Sequence, residues 1–279
     1  MGAARTAHRK LSHVEGFARD FTAYRLYGHR RVGGYTESPA LSLLQAVDTA
    51  QRKAGIGGPI AEIGVHHGQL FIAMKLLQRP GEASIGIDLF EDQATNIDRS
   101  GEGDRDRFLQ HIDRWSDRHG LVIHAGDSTK IQPGDIPEMK EVRLFSVDGG
   151  HTEEIVESDM RLAENSLADG GVVIADDVFN QQWPGVAVGT VHYLENGGAL
   201  LPFYIGFNKV LFAHPGHAED YRRAIDDAYR DRTMTAVFSS VFAGHDVGVL
   251  VPVPKRPADI ARRSETARAV YRRLASLLK

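Results

Sequence analysis

Four residues near the middle of the chain have types and spacing suited to joint chemistry. The stretch from Leu144 to Asn180 reads LFSVDGGHTEEIVESDMRLAENSLADGGVVIADDVFN. Asp148 closes one apolar run, and His151 follows three residues later. Asp176-Asp177 closes a second apolar run, 28 residues after Asp148. Three carboxylates brought to one point repel one another and need either protons or a cation. Hard oxygen ligands suit a divalent ion such as Mg²⁺, which keeps several waters or substrate oxygens in its shell. The competing reading is that acidic residues at strand ends merely cap the next helix. For His151, an intrinsic pKa of ~6.5 allows proton transfer near neutrality; otherwise it is a solvated residue at a helix start.

The elements around these residues form a β-α-β unit. Short β-branched runs, Leu144–Val147 and Val172–Ala175, flank an amphipathic segment from about Thr152 to Leu167, and Asp169-Gly170-Gly171 reads as a turn. Two strands of such a unit are parallel and near neighbours. Their carboxyl ends then share one sheet edge, where open α/β sheets bind ligands. Asp148, His151, Asp176 and Asp177 are expected to gather there.

Upstream, aromatic residues recur at helical spacing from His13 to about Tyr27. Ser38-Pro39 then starts a helix that Gly55, Gly57 and Gly58 end. A first strand, from Pro59 to about Ile63, leads into Glu62-Ile63-Gly64-Val65-His66-His67-Gly68. There Gly64 permits a sharp turn and Gly68 a helix N-terminus close to a ligand. A second strand ends in Asp88, 24 residues after Gly64, a distance at which an acidic residue can accept from both hydroxyls of a ribose. The polar loop 91–105 is long for a β-α connection. A third strand, Leu121–His124, meets Asp127-Ser128. In a nucleoside site Asp127 could accept from an exocyclic amine; the alternative is a local Asx-turn. Downstream, Trp183 is either a pocket wall or a core cover. Strands are expected over Leu201–Phe207, Lys209–Phe212 and Val247–Val253, and an Arg-rich helix from Pro257 to Leu278.

The 279 residues are 42% hydrophobic and 25% charged, with a formal net charge of −4. This is the composition of a globular protein. It gives no global basic field for nucleic acid, and no apolar run approaches membrane-spanning length. Without Cys, disulfides, thiolate metal sites and a Cys nucleophile are excluded. The first residues, MGAARTAHRKLSH, lack the apolar core of a signal peptide, so the expected location is cytoplasmic.

The order Glu62-x-Gly64-x-x-x-Gly68, Asp88, Asp127-Ser128 resembles the cofactor motifs of class I S-adenosylmethionine-dependent methyltransferases, over about Pro59 to Phe212. That resemblance implies an α/β, Rossmann-like fold: a mainly parallel seven-stranded sheet with an antiparallel edge strand and helices on both faces, here with an N-terminal helical cap. It also implies S-adenosyl-L-methionine as cofactor, with Glu62, Gly64 and Gly68 in its site, Asp88 on the ribose, and Asp127 and Ser128 near the adenine. Asp148 followed by Asp176-Asp177 resembles the Mg²⁺-dependent O-methyltransferases. Family members often carry the catalytic base three residues after the first ligand, the place of His151. A His base is similar to the macrolide-sugar type (mycinamicin and tylosin); the catechol type has Lys there, and Asn at the place of Asp177. The expected organisation is an extension or cap over 1–58, a methyltransferase domain over 59–254 and a C-terminal helix over 255–279. The expected partner is a small-molecule acceptor with hydroxyl groups, and a homo-oligomer is left open. Two other readings stand beside this one: a metal-dependent hydrolase or hydroxylase on the same scaffold, and a nucleoside-binding module without catalysis.

Overall fold

The computed structural model describes residues 20–253 and 265–277, apart from positions 93, 95, 133 and 233. Much of the N-terminal helical segment expected from His13, and the start of the C-terminal helix, fall outside the described residues. Helical turns cover Phe21–Ala23, Tyr24–Gly28 and His29–Arg31. They are followed by α1 (Ser38–Ala54), β1 (Ile60–Ile63), α2 (Gln69–Lys75), β2 (Ser84–Asp88), α3 (Arg105–Trp115), β3 (Leu121–Ala125) and β4 (Val142–Val147). Then come α4 (Glu153–Ser166), β5 (Leu167–Ala175), α5 (Pro184–Glu195), β6 (Leu201–Gly206), β7 (Lys209–Ala213), α6 (Pro215–Tyr229), β8 (Thr235–Phe242), β9 (His245–Pro252) and α7 (Glu265–Leu277).

One sheet runs in the order β3-β2-β1-β4-β5-β7-β6-β9-β8. The first five strands are parallel, and β7 lies antiparallel between β5 and β6. β9 then pairs parallel with β6 and antiparallel with β8. The α/β class and the mainly parallel sheet are as expected. Among the described residues the sheet has nine strands rather than seven, because β8 and β9 add a hairpin at the far edge. β8 is largely exposed: Phe238 is 53% and Val241 64% exposed. Asp169-Gly170-Gly171 is not a turn but part of β5. Its glycines serve close approach, since a Cβ on Gly170 would lie 2.4 Å from Ile56 and one on Gly171 2.7 Å from the Val142 carbonyl.

The central strands β1, β4 and β7 are buried on both faces, as the middle of such a sheet requires. One face packs under α1, α2, α3 and α6 through Leu41, Leu44, Phe71, Phe108 and Ile225. The other packs under α4 and α5 through Ile63, Phe145, Met160 and Tyr193. At the amino edge Arg143 is fully buried. It pairs with Glu82 at 3.0 Å and Asp48 at 3.1 Å and donates to the Leu77 carbonyl. Among the described residues no helix is long and apolar enough to cross a membrane.

The N-terminal turns are strapped over the start of α2. The Tyr24 hydroxyl donates to the Gln69 carbonyl at 2.8 Å, the Gln69 amide donates to the His29 and Val32 carbonyls, and its oxygen accepts from Thr36 N.

Candidate active site

Asp148 and Asp176 leave adjacent parallel strands at one height: Asp148 N donates to the Ile63 carbonyl and Asp176 N to the Val147 carbonyl. Beside them β1 ends in Gly64, at φ +84, where a Cβ would fall 1.7 Å from the Asp148 carbonyl oxygen. Gly64 is therefore required by the packing of the acidic loop, besides any contact with a ligand. Gly68, at φ +89, caps α2; a Cβ there would meet the Phe108 ring at 2.8 Å.

The acidic cluster has one internal cation. Lys209, at the start of β7, is buried, and its ammonium is in ion-pair contact with Asp176. The other oxygen of Asp176 accepts from Asp177 N at 2.8 Å. Burial, and then the Asp176 charge, push the Asp148 carboxyl well above the usual carboxylate range, while Lys209 pulls it down. Burial likewise raises Glu62, whose Oε2 is buried without a hydrogen-bond partner. Lys209 itself loses from burial but gains more from Asp176 and Asp148, so it holds its proton more tightly than an ordinary lysine. Four carboxylates (Glu62, Asp148, Asp176, Asp177) thus surround one ammonium.

His151 stands between two acids. Its Nδ1 lies 2.9 Å from Asp98 Oδ2 and its Nε2 3.4 Å from Asp177 Oδ2. Burial lowers its pKa, but the hydrogen bonds to Asp177 and Asp98 outweigh burial, and the net shift is upward. Trp183 stacks on the imidazole, with ring centroids 4.5 Å apart. Asp177 sits at φ +57 and accepts from Asn208 Nδ2 at 2.6 Å. Burial would raise its carboxyl, yet His151 and Asn180 hold it below the usual range. Ligand atoms of Asp148, His151 and Asp177 all lie within 4.8 Å of one another. Two carboxylates and an imidazole that close, with negative charge that Lys209 does not balance, fit a divalent cation.

A model described as a methyltransferase domain matches residues 61–178. The fold resembles that of the O-methyltransferase NovP, at 16% identity over 62% of this chain and 79% of that one, with a TM-score of 0.50. Weaker likenesses include CalS11, a TDP-rhamnose 3'-O-methyltransferase of calicheamicin biosynthesis, at 20% identity over 61% of this chain and 77% of that one, TM-score 0.43. Another is TomG from Streptomyces achromogenes, at 18% identity over 77% and 78% of the two chains, TM-score 0.41. Comparison with curated protein sequences gives no match. The match to a methyltransferase-domain model spans the parallel strands from β1 to β5, at whose ends the acidic residues stand.

Asp88 ends β2 with both oxygens engaged: Oδ2 accepts from His66 N at 2.8 Å and Oδ1 from Phe90 N at 2.6 Å. Burial raises its pKa against those bonds. A carboxylate oxygen can accept more than one bond, so room for a ribose hydroxyl remains. Asp127 forms the local turn given as its alternative, accepting from Thr129 N at 3.0 Å and pairing with Lys130 at 3.1 Å. Ser128 lies beside Asp159, a fully buried carboxyl on α4 that burial pushes up to about 7. Asp148, Asp176, Asp177 and His151 are brought together as expected, but Asp176 faces Lys209, while His151 joins the ligand-competent set. Three residues of the site were not foreseen: Lys209, Asp98 and Asn208. The first had a signal, a lysine opening an otherwise apolar strand.

Proposed function

We propose that this protein is a Mg²⁺-dependent O-methyltransferase that moves a methyl group from S-adenosyl-L-methionine to a hydroxyl of a sugar or another small natural-product acceptor. The observation that carries the reading is the Asp98–His151–Asp177 line set against Asp148 at the carboxyl edge of the sheet. Asp98 engages Nδ1 of His151 and thereby leaves Nε2 as the nitrogen that faces the acidic centre. Nε2 is the atom assigned to accept the acceptor's proton. Asp148 and Asp177 would hold the ion, with Asp176 tied to Lys209 behind them; when bound, Mg²⁺ would lower the pKa of a hydroxyl and orient it. Trp183 fixes the plane of the imidazole and keeps water from that face.

On the cofactor side, Gly64 and Gly68 give close backbone approach, and Asp88 is assigned to the ribose. Asp127 and Ser128 are assigned to the adenine side, and Glu62 to support from below. The pairing of His151 with Asp177, in place of Lys and Asn, supports a sugar hydroxyl over an aromatic diol. The protein is read as cytoplasmic. Lys209 favours a second reading, in which its ammonium alone compensates the centre and transfer needs no metal.

The test is calorimetric titration of S-adenosylhomocysteine, followed by labelled-methyl transfer to a panel of glycosides and phenols with EDTA or with Mg²⁺. Cofactor binding with Mg²⁺-restored transfer to glycosides is expected. Lack of cofactor binding overturns the whole reading, and full transfer in EDTA overturns the metal.

A further inference from the structure

A second polar site lies outside the methyl-transfer centre. A groove of about 420 Å³ is lined by Arg25, Ser38, Ser42, Tyr229, Asp231 and Arg232, among others. It opens at the same carboxyl edge, because α1 begins there, α6 ends there, and β8 starts opposite the end of β9. Four strand-to-strand steps separate β5 from β8, which at the usual spacing is roughly 19 Å.

Several donors in this groove are unspent, although Arg232 Nε donates to the Ala228 carbonyl at 3.3 Å. The Tyr229 side chain is 2% exposed, and its hydroxyl has no hydrogen-bond partner. Ser42 is 5% exposed; it accepts from Arg25 Nη1 at 3.2 Å, which leaves its own proton free to donate. Arg25 Nε is buried without a partner. Arg232 lies over the Tyr229 ring, 4.7 Å from its centroid. Burial pushes the Tyr229 phenol up to about 12, while the charges of Arg232 and Arg25 act to lower it. A buried hydroxyl left unpaired costs stability, and two arginines that line the same groove without a paired carboxylate make, with it, a donor set for an oxyanion. The acids nearby do not fill it: Asp226 accepts from the Tyr204 hydroxyl, and the exposed Asp231 forms no ion pair with either arginine among the described residues. With Asp231 at the rim, the groove carries a net charge near +1, which suits a small oxyanion and not a polyanion.

We propose that Arg25, Ser42, Tyr229 and Arg232 form a binding site for the oxyanion group, phosphate or carboxylate, of a small molecule, distinct from the methyl-transfer centre.

The test uses the full chain and two probes, inorganic phosphate and acetate, titrated by calorimetry at low ionic strength and checked by phosphorus NMR line broadening. Saturable binding of either probe is expected, and the tighter one names the class. Arg25→Gln and Arg232→Gln should each weaken it by about tenfold or more. Tyr229→Phe, which keeps the ring in the core, should weaken it several-fold. Asp148→Ala should leave it unchanged. Neither probe binding, or binding that survives Arg25→Gln and Tyr229→Phe undiminished, overturns the proposal. Loss of binding in Asp148→Ala also overturns it, because the probe would then report on the methyl-transfer centre.

Discussion

Replacing Lys209 by Met tests the charge balance of the centre most directly. The substitution keeps an unbranched side chain of similar length and removes, among the described residues, the only cation in ion-pair contact with Asp176. It leaves Asp176 buried beside Asp148 with no positive partner. Breaking a buried ion pair from one side typically costs about 3–5 kcal/mol, and that is the expected loss in EDTA at pH 8. The loss should shrink as pH falls. A carboxyl whose folded pKa is raised is least costly when protonated, and Asp148 and Glu62 are both raised. Their penalty is absent below the unfolded value and grows as pH rises to the folded one. Mg²⁺ should return part of the loss: saturation at 100 times Kd stabilises by about 2.7 kcal/mol. It should do so more in the variant than in the parent, because the ammonium no longer competes for the carboxylates. The assay is urea denaturation in EDTA and in Mg²⁺ at pH 5.5 and pH 8, with Mn²⁺ binding followed by spin resonance. A loss below about 1 kcal/mol at pH 8 in EDTA would refute the buried-pair argument. Mn²⁺ binding no tighter in Lys209→Met than in the parent would refute the competition.

Other predictions follow from the same geometry. His151→Ala should lower kcat by roughly 10²–10⁴ with little change in cofactor affinity. The parent rate should rise with pH along a limb set above the usual imidazole value, because Asp177 and Asp98 hold the proton on; Asp98→Asn should move that limb to lower pH. Asp159→Asn should stabilise the protein at pH 8 by about 2–4 kcal/mol, since a folded pKa of about 7 lies well above the unfolded value of ~3.9. Denaturation curves should show that gain vanishing near pH 4. Asp88→Ala should weaken S-adenosylmethionine binding by about 1.5–3 kcal/mol, as calorimetry can read, and unchanged affinity would remove Asp88 from the cofactor site.

The β4-α4-β5 unit was legible because two separate signals agree there. β-branched runs mark the strands, and Thr152 accepts from Ile155 N as the cap of α4. Each carboxylate therefore had a definite strand end to occupy. Asp98 was not legible: it lies in an irregular polar loop, 53 residues from His151, and no local period ties the two. β9 was expected from the run Val247–Val253, but β8 was not. β8 reads TAVFSSVF and is exposed along most of its length on both faces, so it lacks the apolar alternation by which a half-buried strand is read.

Lys209 shows a different limit. A lysine next to a turn reads by default as a solvated strand end, since lysine is almost never buried unless paired. Its burial becomes intelligible only once β7 is seen to run antiparallel beside β5, with Val210 opposite Ala175. That register sets the residue before Val210 against the residue after Ala175, and so places the ammonium on Asp176. The sequence separation of that pair, 33 residues, hides the contact, but the charge argument could have called for it. Carboxylates gathered at one sheet edge demand a cation, and an internal lysine and a divalent ion are two answers to the same demand. The chain holds one answer in its own sequence, and how far Asp148, Asp177 and His151 still call for the other is the quantity that the Lys209→Met measurement reads.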